Sequence, residues 1–118
     1  MAATFQAQVD ALAEKYVNGY NNRDAVACSE VYSEDAIVLL PGGIIRGREA
    51  IAADFQTLFK SGLRVTGLTT THCHSDGKVG YAIQIEHSNR GDTNTLLVFR
   101  QDKKGNWLIC AEAVIGNG

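Results

Sequence analysis

The chain has 118 residues, 45% of them hydrophobic, which fits one globular domain spanning residues 1–118. Its formal net charge of −2 excludes the basic surface of a nucleic-acid-binding protein, and no apolar run approaches the ~20 residues of a membrane-spanning helix. The first residues lack the pattern of a secretory signal. Three widely spaced cysteines, Cys28, Cys73 and Cys110, indicate no disulfide framework, so we expect a cytoplasmic protein.

Helical patterns dominate the first part of the chain. Thr4 is a suitable N-cap for a first helix, whose apolar stripe consists of Phe5, Val9, Leu12, Ala13, Tyr16, Val17 and Tyr20. Asp24 is expected to cap a short second helix that carries Ala25, Cys28, Val31 and Tyr32 inward and ends at 33–35.

A short hairpin and a third helix follow. Residues 36–40 and 44–46 predict two strands joined by a turn at Pro41-Gly42-Gly43. After Gly47, the helical spacing of Ile51, Phe55, Leu58 and Phe59 predicts a third helix that ends at Ser61-Gly62.

The rest of the chain has the period of β-strands. We predict four strands, at 63–74, 78–88, 93–101 and 107–115, and short loops make their neighbours antiparallel. Helices followed by a meander indicate an α+β fold with the helices on one face of a curved sheet.

Several sequence segments resemble those of one superfamily. They are Tyr16 with Asp24, the segments YSEDA at 32–36, LPGG at 40–43, RGREAI at 46–51 and DKKGNWLI at 102–109. The chain is similar to the nuclear transport factor 2-like superfamily, also called SnoaL-like or ketosteroid isomerase-like. The resemblance implies three N-terminal helices packed in a strongly curved, mainly antiparallel sheet, a cone-shaped, cystatin-like α+β barrel. It also implies a pocket at the open end of the cone and, commonly, a homodimer.

Comparison with ketosteroid isomerase argues against that enzyme's mechanism. Its oxyanion-hole tyrosine corresponds to Tyr16, its general base to Leu40, and its protonated oxyanion-hole acid to Leu97. Leucine cannot accept or donate a proton, so steroid isomerisation by that route is rejected.

Alternation along the last three strands suggests other site residues. The comparison implies that three sets face the interior: Tyr81, Ile83, Ile85 and His87; Thr93, Thr95, Leu97 and Phe99; Leu108, Cys110, Glu112 and Val114. One register places His87, Thr95 and Glu112 in a single row. A carboxylate in an apolar cone needs a donor or a raised pKa, so Glu112 is the main candidate.

These placements predict two groups of site residues. Glu112, His87 and Tyr16 are the predicted catalytic residues, with a His/Glu pair as base and orienting group. The predicted ligand contacts are Thr95, Tyr81, Leu40, Leu97, Phe55 and Cys110. A structural His87–Glu112 pair is the alternative.

Two further expectations concern metals and partners. His72 and His74 share a strand face but lack further ligands, so surface histidines are expected, and neither a metal nor a cofactor is predicted. Both faces of the last strands are apolar, which predicts a homodimer through a convex face formed by Leu96, Val98, Trp107 and Ile109.

Two functions are consistent with the sequence. One is a cofactor-independent isomerase, cyclase or hydratase acting on a small apolar substrate in the cone. The other is a non-catalytic ligand-binding or dimeric association module.

Overall fold

The computed structural model describes residues 4–117. The helices are α1 (Phe5–Asn21), α2 (Ala25–Ser29) and α3 (Arg48–Lys60). The strands are β1 (Tyr32–Leu40), β2 (Gly43–Arg46), β3 (Val65–Asp76), β4 (Val79–Ser88), β5 (Gly91–Gln101) and β6 (Trp107–Asn117). None of these helices is long and apolar enough to cross a membrane.

One six-stranded sheet has the order β2-β1-β6-β5-β4-β3. All its pairs are antiparallel except β1 with β6, which are parallel. The helices pack against its concave face, so the predicted α+β fold with a mainly antiparallel sheet is confirmed. Because β1 and β6 are neighbours in the sheet, a strand from the N-terminal half of the chain lies beside the last strand.

Local capping explains the starts of α1 and α2 and the end of α3. The side chains of Thr4 and Asp24 accept hydrogen bonds from the backbone N–H groups of Ala7 and Ala27, each at 3.1 Å, and these bonds begin α1 and α2. Gly62, at φ +84°, adopts the left-handed conformation expected after α3. The three cysteines are free thiols.

The predicted end of the second helix was wrong. Helix α2 ends at Ser29, and Tyr32 already belongs to β1 rather than to the helix. Tyr32 is nevertheless buried, because the strand rather than the helix directs its side chain inward. As a residue of β1, Tyr32 lies next to β6, where it pairs with Ile109.

The predicted inward face of β4 was also wrong. A two-residue turn, Asn89-Arg90, joins β4 to β5, and Ser88 pairs with Gly91. This register pairs Thr95 with Gln84 and therefore places even-numbered β4 residues on the concave face. Tyr81, Ile83, Ile85 and His87 point to the opposite face.

A β-bulge at Cys110 changes the alternation of β6. Val98 pairs with Ala111, whereas Phe99 pairs with Ile109, so Cys110 has no partner on β5. Residues on both sides of the bulge consequently face inward: Trp107 and Ile109 before it, Glu112 after it. The assignment of Trp107 and Ile109 to the convex face was wrong, because both are buried in the core.

The narrow end of the cone is closed by aromatic packing. The ring of Phe5 contacts Phe99 and Trp107, with centroid distances of 5.5 and 4.8 Å. Gly80 lies beneath it, and a Cβ there would be 2.5 Å from Cζ of Phe5. The absence of a side chain at Gly80 thus lets the first helix seal this end, leaving the cavity at the other.

Candidate functional site

A cavity of about 270 Å³ lies between the helices and the concave face of the sheet. Its walls are mainly apolar and include Val38, Leu40, Ile45, Ile51, Phe55, Leu58, Leu63 and Val114. Its polar lining consists of Tyr16, Tyr32, Asp54, Glu86, Thr93, Thr95 and Glu112. A narrower space of about 30 Å³ continues towards Leu97, Phe99 and Ile109 and shares five of the polar residues, Tyr16, Tyr32, Glu86, Thr95 and Glu112. These polar groups therefore lie where the two spaces meet.

Glu112 and Tyr32 form one hydrogen-bonded pair. The Tyr32 hydroxyl donates to Oε1 of Glu112 at 2.5 Å. The bulge at Cys110 turns Glu112 inward, and the pairing of Val38 with Glu112 places β1, the strand of Tyr32, beside it. The guanidinium of Arg48 donates twice to the backbone carbonyl of Tyr32, at 3.0 and 2.6 Å, and so anchors the strand next to the site.

Glu86 and Tyr16 form a second pair of the same kind. The Tyr16 hydroxyl on α1 donates to Oε1 of Glu86 on β4 at 2.7 Å. The ring of Phe55 from α3 lies between the two tyrosines, 5.7 Å from the Tyr16 centroid and 6.2 Å from the Tyr32 centroid. The two pairs thus share one aromatic wall.

Burial governs the electrostatics of both carboxyls. Desolvation raises the pKa of Glu112 to about 7, with a further upward contribution from Glu86 and a downward one from the Tyr32 hydrogen bond. Desolvation also raises the pKa of Glu86, opposed by the bond from Tyr16. The pKa values of both tyrosines lie well above 10.0, so their hydroxyls keep their protons and act as donors.

Six of the predicted site residues line the cavity or its narrow extension. They are Tyr16, Leu40, Phe55, Thr95, Leu97 and Glu112. Their functional roles remain predictions. The hydroxyl of one of them, Tyr16, donates a hydrogen bond to Glu86.

His87 does not lie in this cavity, so the predicted His87–Glu112 pair was wrong. Its Nδ1 lies 2.9 Å from Asp92 and its Nε2 lies 2.7 Å from Thr69, both on the outer face of the sheet. The two-residue turn after Ser88 sets the pairing that turns His87 outward. The partner that the sequence suggested for Glu112 is therefore replaced by Tyr32.

Two predicted ligand contacts lie elsewhere. Tyr81 is 41% exposed on the outer face, because it shares the alternation of His87. Cys110 is half-buried at the bulge and belongs to neither the cavity nor its extension. Burial raises the pKa of its thiol.

The sequence-based site lacked Glu86 and Tyr32. The inward set predicted for β4 was Tyr81, Ile83, Ile85 and His87, so it left Glu86 out, and Tyr32 was expected in the second helix. The signal for Glu86 was the turn: pairing Ser88 with Gly91 across two residues places Glu86 opposite Thr93. Hydrophobicity alone predicts the opposite orientation of β4, because the residues that face outward are the more apolar ones.

The cavity contains one carboxyl group that is suited to proton transfer, Glu112. Within residues 4–117, no group of three or more His, Cys, Asp and Glu side chains is arranged to hold a metal ion. His72 and His74 are exposed, as expected. A carboxyl whose pKa is near neutrality exists in both protonation states at physiological pH and can accept and return a proton.

Comparison with known proteins identifies the family. A profile of the SnoaL-like domain matches residues 13–101, so the chain belongs to the SnoaL-like domain family, within the predicted nuclear transport factor 2-like superfamily. A search of curated proteins finds no significant match.

Solved structures share the fold at low sequence identity. A domain of unknown function with a cystatin-like fold from Nostoc punctiforme is 16% identical, with a TM-score of 0.87 over 100% of this chain and 80% of that chain. A ketosteroid isomerase-like protein from Erwinia carotovora atroseptica is 16% identical, with a TM-score of 0.75 over 92% of each chain. An NTF-2 like protein of unknown function from Shewanella oneidensis is 11% identical, with a TM-score of 0.76 over 92% of this chain and 97% of that chain. These similarities define the fold.

Proposed function

We propose that this protein catalyses cofactor-independent proton transfer on a small, mainly apolar substrate, in a reaction of the isomerase, cyclase or hydratase type. The observation that carries the proposal is the position of Glu112 in an apolar cavity of about 270 Å³, with a pKa of about 7. A general acid or base works best when its pKa lies near the working pH. A concave, mostly apolar cavity with a few convergent polar groups is the usual form of a small-molecule site.

The residues around Glu112 have distinct roles in this proposal. The ionised Glu112 removes a proton from the substrate and returns it at a second position. Tyr32 holds the carboxylate through its hydrogen bond and limits the rise of its pKa. Desolvation is the main cause of the raised pKa of Glu112, and Glu86, held by Tyr16, adds to it through the repulsion between two carboxylates. Arg48 acts as a positioning residue through the backbone of Tyr32.

Hydrogen–deuterium exchange at a substrate carbon tests this proposal directly. Cyclic ketones and cyclic imines are incubated with the protein in deuterated buffer, and exchange next to the C=O or C=N carbon is followed by NMR. We expect exchange to rise with pH and level off above about 7, as Glu112 ionises. Glu112→Gln should reduce the rate by roughly 100-fold or more, the range of general acid–base catalysis.

Glu34→Gln is the matched control, since it makes the same chemical change at an exposed residue of β1. It should leave exchange unchanged. Equal exchange by the wild type and Glu112→Gln, or no exchange above buffer for any probe, would contradict the proposal.

A non-catalytic ligand-binding module is the second candidate. Leu40 and Leu97 line the two connected spaces, so the acids that the isomerase comparison places there are absent. Both remaining glutamates are hydrogen-bonded to tyrosines, as satisfied structural groups also are. Binding of probes without exchange would favour this candidate.

We also propose that two copies associate through the outer face of the sheet. In this register, four strands contribute neighbouring apolar residues to that face: Ile37 and Leu39, Ala111 and Ala113, Leu96 and Val98, and Tyr81 and Ile83. Leu39, Leu96 and Tyr81 are 50%, 38% and 41% exposed. Because the more apolar side of β4 faces outward, burial of this face against a second copy of the chain is favoured. Free thiols favour a cytoplasmic location.

A further inference from the structure

We propose that the ligand of the cavity carries a basic nitrogen on an apolar body and binds as an organic cation. This inference rests on the proposed function only in taking the cavity around Glu112 as the functional site. It adds the chemical class of the ligand, which neither the fold nor the family specifies.

The first support is the charge of the cavity lining. Three carboxyl groups line it, from Asp54 on α3, Glu86 on β4 and Glu112 on β6, and the described lining contains no Lys, Arg or His. The ion pairs found within residues 4–117 involve neither Glu86 nor Glu112. The guanidinium of Arg48 donates to a backbone carbonyl instead. A cationic ligand would therefore supply the counter-charge that these residues do not receive from the described chain.

The second support is the direction of the hydrogen bonds. The hydroxyls of Tyr16 and Tyr32 already donate to the two glutamates, and the Thr95 hydroxyl donates to the backbone carbonyl of Gln84 at 3.3 Å. The carboxylate oxygens keep further lone pairs as acceptors. The site is thus rich in acceptors, whereas the donors of these three side chains are engaged. A ligand that brings N–H donors fits it better than an oxyanion, which needs donors from the protein.

The third support is the aromatic wall. The rings of Tyr16, Tyr32 and Phe55 all border the cavity. The face of an aromatic ring attracts an organic cation, and the attraction is strongest where water is excluded. The remaining walls are aliphatic side chains such as Leu40 and Val114, which suit the apolar body of the ligand.

A positively charged substrate is also compatible with proton removal by Glu112. A substrate that is positively charged becomes neutral when it loses a proton, so no anion forms in a cavity lined by carboxylates. A neutral ketone would instead develop negative charge on its oxygen. The lining offers no cation to stabilise that charge, so the imine probes should exchange faster than the ketone probes.

Titration calorimetry with three probes tests the inference. Cyclohexylmethylamine, cyclohexylmethanol and cyclohexanecarboxylate present a cation, a neutral group and an anion on the same apolar ring. Above pH 7, we expect the amine to bind about tenfold more tightly than the alcohol, the gain of a charge-assisted over a neutral hydrogen bond. The carboxylate should bind most weakly.

The preference should depend on pH through the groups that face Glu112. These are Tyr32 from β1, Tyr16 from α1, Glu86 from β4 and Asp54 from α3, and the tyrosines keep their protons throughout. The amine stays protonated below pH ~10. Lowering the pH from about 8 to about 5 protonates Glu112 and should abolish most of the preference for the amine.

Variants separate the charge of the site from its shape. In the double variant Glu86→Gln and Glu112→Gln, the amine and the alcohol should bind within about twofold of each other. Asp54→Asn, a milder change at the same cavity, should reduce the preference in part, and Glu34→Gln should leave it unchanged. Circular dichroism confirms that each variant is folded.

The possible outcomes distinguish this inference from the proposed function. Equal binding of amine and alcohol by the wild type, absence of amine binding, or a preference that survives the double substitution would overturn it. Exchange restricted to ketones would also overturn it while leaving the proposed proton transfer intact. Selective amine binding without any exchange would support the cation site and refute the catalytic role.

Discussion

Replacing Glu112 by glutamine should make the protein more stable at neutral and alkaline pH. The pKa of Glu112 is about 7 in the folded protein, against 4.5 for an ordinary glutamic acid. Below pH 4.5 the carboxyl is neutral in both the folded and unfolded states. As the pH rises from 4.5 to 7, the unfolded state loses the proton first, so folding becomes less favourable.

The size of the effect follows from these two values. One pKa unit corresponds to about 1.4 kcal/mol, so the difference between 4.5 and about 7 corresponds to about 3 kcal/mol above pH 7. This is an upper value, because Glu112 is only partly buried and solvent screens part of the cost. Glutamine removes the charge and keeps a carbonyl oxygen for the Tyr32 hydroxyl, so packing should change little.

Urea denaturation at a series of pH values from about 4 to about 8 measures the effect. At each pH, the unfolding free energy of the wild type is subtracted from that of Glu112→Gln. This difference should be roughly 1–3 kcal/mol larger above pH 7 than below pH 4.5. All samples need the same protein concentration, since association would add to the apparent stability. Glu34→Gln, at an exposed position, controls for the loss of one carboxylate. Parallel curves for the wild type and Glu112→Gln would refute the reasoning.

Three further predictions concern the core and the outer face. Tyr20 is 2% exposed and its hydroxyl has no hydrogen-bond partner among residues 4–117, so Tyr20→Phe should leave stability unchanged or raise it by about 1 kcal/mol in urea denaturation. A loss of that size would show that the hydroxyl is satisfied in solution. Leu97 is 4% exposed and pairs with Glu112 across β5 and β6, so Leu97→Asp should cost about 3 kcal/mol or more, and an unchanged denaturation midpoint would place Leu97 outside the core. Leu96→Arg should convert a dimer into monomers in size-exclusion chromatography with light scattering, whereas Val26→Arg, a change at a residue 64% exposed on α2, should not; a monomeric wild type would contradict the proposed association.

Local chemistry explains why most of the fold was predictable. The caps Thr4 and Asp24 and the left-handed Gly62 depend on neighbours within a few residues, so the sequence determines where the helices begin and where α3 ends. The last four strands were predictable because the period of the hydrophobic pattern changes from helical spacing to two after Gly62. The start of β1 at Tyr32 was missed because its partner Ile109 lies far away in the sequence.

The candidate site was predictable only in part, because strand register decides it. Glu112, which the sequence singles out as an acid in an apolar strand, lines the cavity. Its expected partner was wrong because one residue more or less in a turn moves every side chain of a strand to the other face. The turn Asn89-Arg90 brought Glu86 inward and turned His87 outward.

The sequence by itself therefore determined the family, the order of the elements, the starts of α1 and α2 and the end of α3. Only the tertiary structure decided which side of β4 and β6 faces the cavity, because that choice depends on a two-residue turn and on the bulge at Cys110. These two features assemble the site from residues distant in sequence: Tyr16 with Glu86, and Tyr32 with Glu112. Burial of both pairs between the helices and the sheet then sets their pKa values, which no local pattern specifies.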